Sequence, residues 1–223
     1  MPEWSSYGLE DFLLFSPRAY WRLFEAQNAA LWPLQLATMA AGLALLLLIL
    51  RRPGRAKPWV GLLLGLLWAF VAWSFLLQRY EAINWAVAYA APAFFVQALL
   101  LVGAAVLPGG PAFGRRDPPG WAGLGIALAG LLYPLLAPAA GRPLASAEVF
   151  GLAPDPTVLV TIGMVLMAGG RWRALLLPIP LLWGLFSGLT LLAMGDVQAW
   201  LLLVSVAIAV LSAVTGRRVA SDR

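Results

Sequence analysis

The chain has 223 residues, of which 62% are hydrophobic and only 11% charged. A soluble domain carries roughly 45–50% apolar and about a quarter charged residues, so water-soluble enzyme classes are excluded: a soluble core of this size could not hide so much apolar surface. With no cysteine and no histidine, disulfides, thiolate nucleophiles and thiolate metal sites are excluded, as are the commonest general base and metal ligand.

Residues 1–29 form an outer interfacial segment. They are not a signal peptide, lacking a basic start and an apolar core and carrying Glu3, Glu10 and Asp11. Ser16-Pro17 reads as an N-cap followed by proline at the first helical position. The helix it opens sets Arg18, Arg22 and Glu25 on one face, while Tyr20, Leu23, Phe24 and Leu31 occupy much of the rest, as in a helix lying on a membrane surface. Trp4, Tyr7, Tyr20, Trp21 and Trp32 fit a headgroup-level aromatic belt.

Residues 30–216 are expected to form a transmembrane bundle. A spanning helix needs about 20 mostly apolar residues, and seven stretches approach that: Ala30–Leu50, Trp59–Leu77, Trp85–Leu107, Trp121–Ala137, Thr157–Ala168, Ala174–Met194 and Val197–Val214. The fifth is short, and Ala153-Pro-Asp-Pro-Thr157 before it is too proline-rich for ordinary helix. That segment must enter obliquely, be flanked by a re-entrant piece, or sit inside the bundle. Residues 217–223 form a tail.

Orientation follows from lysine and arginine in short loops. With seven spans and the N-terminus outside, eleven fall on the cytoplasmic side: Arg51, Arg52, Arg55, Lys57, Arg115, Arg116, Arg171, Arg173, Arg217, Arg218 and Arg223. Only Arg18, Arg22, Arg79 and Arg142 fall outside. The expected fold is therefore all-α with seven transmembrane helices, N-terminus out and C-terminus in. The net charge of +5 is then a topology effect, and no nucleic-acid partner is implied. Leu-Leu-Trp recurs at 66–68 and 181–183, and Pro33 and Pro156 open the first and fifth spans. These are the marks of a 3+1+3 parallel repeat, a transporter device, set against chance recurrence in a chain rich in Leu and Trp.

Polar groups inside a membrane usually face a cavity or one another. Glu25, Asn28, Trp32 and Gln35 follow at helical steps and share a face. Gln78-Arg79-Tyr80-Glu81-Ala82-Ile83-Asn84 is a dense polar turn, Gln97 lies in the third span, and Asp155, Thr157 and Thr161 open the fifth. Candidates for a solute or ion pathway are Glu25, Asn28, Gln35, Glu81, Asn84, Gln97, Asp155 and Thr157. Arg18, Arg22 and Arg79 are candidates for structural ion pairs that only anchor loops. No catalytic set, metal site or cofactor site is legible: Lys57, the sole lysine, lies in a loop, and no acids pair in the helix centres.

The run Met-Pro-Glu-Trp4, Asp11-Phe-Leu-Leu-Phe-Ser-Pro-Arg18, Tyr20-x-Arg-Leu-Phe-Glu25, Asn28 and Trp32-Pro33 resembles a bacterial family of small multi-pass membrane proteins known only as a domain of unknown function. Gln78-Arg79-Tyr80, Ile83-Asn84-Trp85 and Ala153-Pro-Asp-Pro-Thr157 extend the resemblance along nearly the whole chain. It implies a bacterial inner (plasma) membrane location and no activity. Members of that family often carry cysteine between the two prolines, where this chain has Asp155, so a thiol or soft-metal role does not carry over.

Two functions remain open. One is a transporter or channel-like permease for a small solute or cation, with an outer polar vestibule lined by Gln35, Asn84, Gln97 and Asp155. The other is a non-transporting assembly partner or sensor whose N-terminal segment docks another subunit. Besides the lipid bilayer, a homo-oligomer or a membrane partner subunit is compatible with either.

Overall fold

The computed structural model describes residues 13–221, with side chains up to Ser212. The Met-Pro-Glu-Trp start, Tyr7, Glu10 and Asp11 lie outside the described residues, as do the side chains of Arg217, Arg218 and Arg223.

The described chain is helical apart from loops and one two-residue β-ribbon. Helix α1 (Pro17–Leu31) is followed by α2 (Leu34–Arg51), α3 (Pro53–Tyr80), α4 (Trp85–Val106) and α5 (Pro118–Ala139). Then come α6 (Pro154–Leu166), α7 (Trp172–Ala193) and α8 (Gln198–Ser221). Five of these, α2, α3, α4, α5 and α7, are long and apolar enough to cross a membrane. Leu36, Leu43, Leu66, Leu99, Leu182 and Leu189 stand exposed on their flanks, the pattern of a lipid-facing surface. Exposed Trp32, Trp59, Trp85, Trp121 and Trp200 lie close to helix ends, where an aromatic belt belongs.

Local chemistry sets the helix starts. Ser16 Oγ accepts from the Ala19 N–H at 3.2 Å, with Pro17 at the first position. Asp117 caps α5 by accepting from the Gly120 N–H at 3.2 Å, and a hydrogen bond from Arg115 holds its carboxyl below the usual range. The first apolar stretch begins later than the periodicity predicts, at Leu34, because the chain turns at Trp32-Pro33 between α1 and α2. Helix α3 runs longer than predicted, from Pro53 through a final π-helical stretch over Ala72–Tyr80.

Helix α6 occupies the centre. Every residue from Ser146 to Ala168 is buried, although Ala147–Ala153 is not helical. Of the arrangements open to this short segment, it takes the third and sits inside the bundle. Non-helical backbone at membrane depth is tolerated where it is buried in protein or lines a water-filled cavity. Thr38 and Gly42 of α2 and Leu67 of α3 lie against Gly151 and Phe150, while α3, α5 and α7 surround α6 itself. The closest crossing is with α5: a Cβ on Gly123 would lie 2.5 Å from the Gly163 oxygen, and one on Gly163 would lie 2.5 Å from the Ala127 nitrogen. Gly61 and Gly65 similarly seat α3 against Leu101 and Ala98 of α4, and Gly184 and Gly188 seat α7 against Val206 and Leu203 of α8.

Arg52 with the start of α3 (residues 53–57, so that Lys57, expected in a loop, is helical), the loop 107–117 and the segment 167–173 leading into α7 gather at one end. Lys57 Nζ donates to the Leu107 oxygen at 2.7 Å. Gly114 and Arg115 both donate to the Met167 oxygen, and Ala112–Phe113 pairs antiparallel with Ala168–Gly169. The opposite end holds α1, whose Tyr20 and Phe24 pack on Phe75 and Tyr80 of α3 (ring centroids 5.5 Å for Tyr20–Tyr80, 4.7 Å for Phe24–Phe75).

Because Gly163 has backbone on both sides of the crossing, Gly163→Ala should destabilise the chain by about 1–3 kcal/mol. Gly125→Ala, with nothing within 4 Å of the new Cβ, should be neutral or stabilising. Thermal unfolding in detergent checks this, and equal midpoints for the two variants would refute the close crossing.

Candidate functional site

The polar groups around α6 form a fixed set of hydrogen bonds. Thr157 Oγ1 donates to the Ala153 oxygen (2.7 Å) and accepts from the Gly151 N–H (2.8 Å). Thr161 Oγ1 donates to the Thr157 oxygen at 2.7 Å and accepts from the Trp68 indole at 2.8 Å. Both Asp155 oxygens are used: Trp183 Nε1 donates to Oδ1 at 2.8 Å and Ser187 Oγ to Oδ2 at 2.7 Å. The tryptophans of the two Leu-Leu-Trp runs thus both point their indole N–H at α6. Their shared partner is this central helix. Helix α2, which the 3+1+3 plan would equate with α6, is largely exposed where α6 is wholly buried.

Other predicted residues serve the backbone. Gln97 is fully buried and donates to the Leu176 oxygen at 3.0 Å. That carbonyl would ordinarily accept from residue 180, which is proline and has no N–H; the glutamine replaces the missing bond. Asn84 caps the first turn of α4 by accepting from the Ala86 N–H at 3.2 Å. Glu81 is exposed at the turn between α3 and α4. The ion pairs among the described residues are Arg115–Asp117 and Arg142–Asp196. Arg79, expected to anchor a loop through Glu81 or Asp155, instead donates to the Gln27 side-chain oxygen. Arg18 and Arg22 stand exposed on α1.

Glu25, Asn28, Trp32 and Gln35 do come together. They line one side of an open cavity of about 510 Å³ at the end opposite the basic loops, faced by Pro134, Leu144, Ala145, Ala147 and Val149. Asn28 donates to the oxygens of Ala145 and Ala147, each at 2.8 Å, so the two walls are tied together. Gln35 Nε2 donates to the Asn28 backbone oxygen at 2.8 Å and to its Oδ1 at 3.3 Å. The vestibule expected from Gln35, Asn84, Gln97 and Asp155 is therefore lined by only the first of them. The other three are buried and bonded inside the protein, Gln97 through its Nε2 alone, since its buried Oε1 has no partner among the described residues.

Several residues escaped the sequence reading. Gln27 is buried and donates to Ser74 Oγ (3.1 Å) and the Leu152 oxygen (3.3 Å). Its spacing from Tyr20 and Phe24 puts it on the buried face of α1, a signal periodicity could have yielded. Glu148, in the loop before α6, is 2% exposed. It lies within electrostatic reach of Asp155, Arg142 and Asp196, and the buried Tyr133 stands in the same field. No local pattern announces it, because a non-helical loop carries it inward. Arg142 lies 3.6 Å from Asp196 and stacks 3.4 Å above the Trp21 ring, a cation–π contact that fastens α1 to the loop before α6. No group of three or more acids spaced to hold a metal ion occurs among the described residues.

Removing one donor from the buried Asp155 leaves a carboxylate oxygen unpaired, so Trp183→Phe should cost about 1.5–3 kcal/mol. The loss should shrink in an Asp155→Asn background, a coupling that a double-mutant cycle of unfolding free energies measures; additive losses would show that the contact carries no energy. No curated protein and no solved structure is significantly similar to the chain. Residues 17–222 match the profile of a family of unknown function (DUF6064), and the chain belongs to that family.

Proposed function

We propose that the chain is a small permease of a bacterial inner membrane, with seven spans, its N-terminus outside and its C-terminus inside. It admits a small organic cation through the outer vestibule. The observation that carries the reading is the cavity of about 510 Å³ between α1–α2 and the loop before α6. Its walls are mostly apolar, with Glu25 and Trp32 among the lining residues beside Asn28 and Gln35. A carboxylate and an indole face together suit a cation with an apolar body.

Sidedness has separate support. Three basic segments meet at one end and the vestibule opens at the other, as the distribution of lysine and arginine requires if that first end is cytoplasmic. Helices α6 and α8 then complete seven crossings, α6 with the help of the buried segment before it. A carboxylate, a broken helix and buried loop backbone at the centre of a bundle are features of transporters. Transport of this kind needs no 3+1+3 symmetry. The docking alternative asks for an exposed apolar or aromatic face on residues 4–26; within the described part of that stretch, Tyr20 and Phe24 are spent on the bundle and Leu14 is exposed.

The test is ethidium uptake into proteoliposomes. Wild type should accumulate the dye above protein-free vesicles. Ala29→Phe, which fills the vestibule, should reduce uptake at least tenfold. Gln97→Leu, away from the vestibule, should reduce it only in proportion to lost folded protein. No uptake by folded wild type, or uptake untouched by Ala29→Phe, would refute the reading.

A further inference from the structure

We infer that Glu148 is a proton-binding site, holding a proton on its carboxyl in the closed arrangement of the core. The geometry is unusual for a glutamate. Its side chain is 2% exposed, and neither Oε1 nor Oε2 has a hydrogen-bond donor among the described residues. Asp155, seven positions on, is equally buried but has a donor on each oxygen. Two acids in one buried neighbourhood thus differ in kind: Asp155 is provided for as a carboxylate, and Glu148 is not. A buried carboxylate lacking donors is neutralised rather than left charged. The Tyr133 hydroxyl, also buried and without a partner, supplies a second polar group that is not committed to the fold.

The surrounding charges agree. Asp155 and Asp196 are the acids within its electrostatic reach, and Arg142 is the cation there. Arg142 lies 3.6 Å from Asp196 and over the Trp21 face, and although its Nε, Nη1 and Nη2 make no hydrogen bond among the described residues, none of them donates to Glu148. The remaining titratable groups in its field are the hydroxyls of Tyr20, Tyr80 and Tyr133, from α1, α3 and α5, all of which are neutral at physiological pH and supply no counter-charge.

The place of Glu148 gives the proton a use. Ala147 and Val149 line the vestibule, and the residue between them turns its carboxyl into the core. One residue of chain separates the cavity from the acid. On the permease reading above, on which this last step rests, a cation pressing on the Ala147–Val149 wall and a proton on Glu148 compete through that wall. The proton passes between the glutamate oxygen and water in the vestibule when the wall parts, and the exchange balances charge.

Infrared difference spectroscopy on the full chain in vesicles tests the site without reference to transport. At neutral pH a carbonyl band of a protonated carboxylic acid should be present, and it should shift in heavy water. Biosynthetic labelling with carboxyl-13C glutamate should shift it further, which assigns it in wild type and frees the test from the folding of any variant. The band should be lost in Glu148→Gln and kept in Asp155→Asn. No such band at neutral pH, a band unmoved by labelled glutamate, or one that persists in folded Glu148→Gln would overturn the assignment. The linkage has a definite sign. A carboxyl that is buried without donors and so kept protonated by folding favours the native state most at low pH, and that favour is lost as pH rises above the ordinary glutamate range. The unfolding midpoint of wild type should therefore fall more steeply from mildly acidic to mildly alkaline pH than that of Glu148→Gln; parallel slopes would overturn it too.

Discussion

Everything in this molecule depends on hiding one irregular segment. Between Ser146 and Ala168 the chain passes through the middle of a helical bundle with no residue exposed, and its first third is not helical. Buried backbone and side-chain polar groups that lack partners cost more than almost any apolar contact returns. The surrounding helices therefore supply donors at fixed places. Gln27 reaches the Leu152 oxygen, Asn28 reaches those of Ala145 and Ala147, Trp68 reaches Thr161, and Trp183 with Ser187 brackets Asp155. Glycines at the α5 crossing bring the neighbouring backbone close enough to complete the enclosure.

The same provision explains why the polar residues of the long helices divide into two groups. Gln97, Asn84, Thr157 and Thr161 each repair or cap a piece of backbone. Glu25, Trp32 and Gln35 face a cavity, while Asn28 does both. The wall between the cavity and the core is the irregular segment itself, so its burial, the vestibule and the position of Glu148 are consequences of one arrangement.

Much of the frame was legible because lipid imposes simple rules. Apolar runs marked every long helix and Ser16-Pro17 marked the start of α1. The stretch at 153–157, read as too proline-rich for ordinary helix, is instead the N-cap and first turn of α6, because proline is tolerated where the helix has no N–H to satisfy. Glu25, Asn28, Trp32 and Gln35, read as one helical face, do line a cavity together, but from α1, α2 and the Trp32-Pro33 turn that separates them. What stayed hidden was long-range. Nothing near Gln97 in sequence says that its partner is a carbonyl orphaned by Pro180, although that proline was a clue. Glu148 sits in a loop without periodicity, so its burial depends on helices that close around it from elsewhere in the chain. The Leu-Leu-Trp pair pointed to a repeat, yet what the two tryptophans share is a single target helix.

The absence of cysteine from the chain makes the central claim directly accessible, because single cysteines can be introduced without background. Labelling by a membrane-impermeant maleimide in intact and permeabilised cells would compare Ala145→Cys at the vestibule, Gly170→Cys in a basic loop and Val160→Cys on α6. The account predicts that the first is labelled from outside, the second only after permeabilisation, and the third in neither condition. Labelling of position 160 in folded protein would contradict it, since the central segment would then face water rather than the bundle that encloses it.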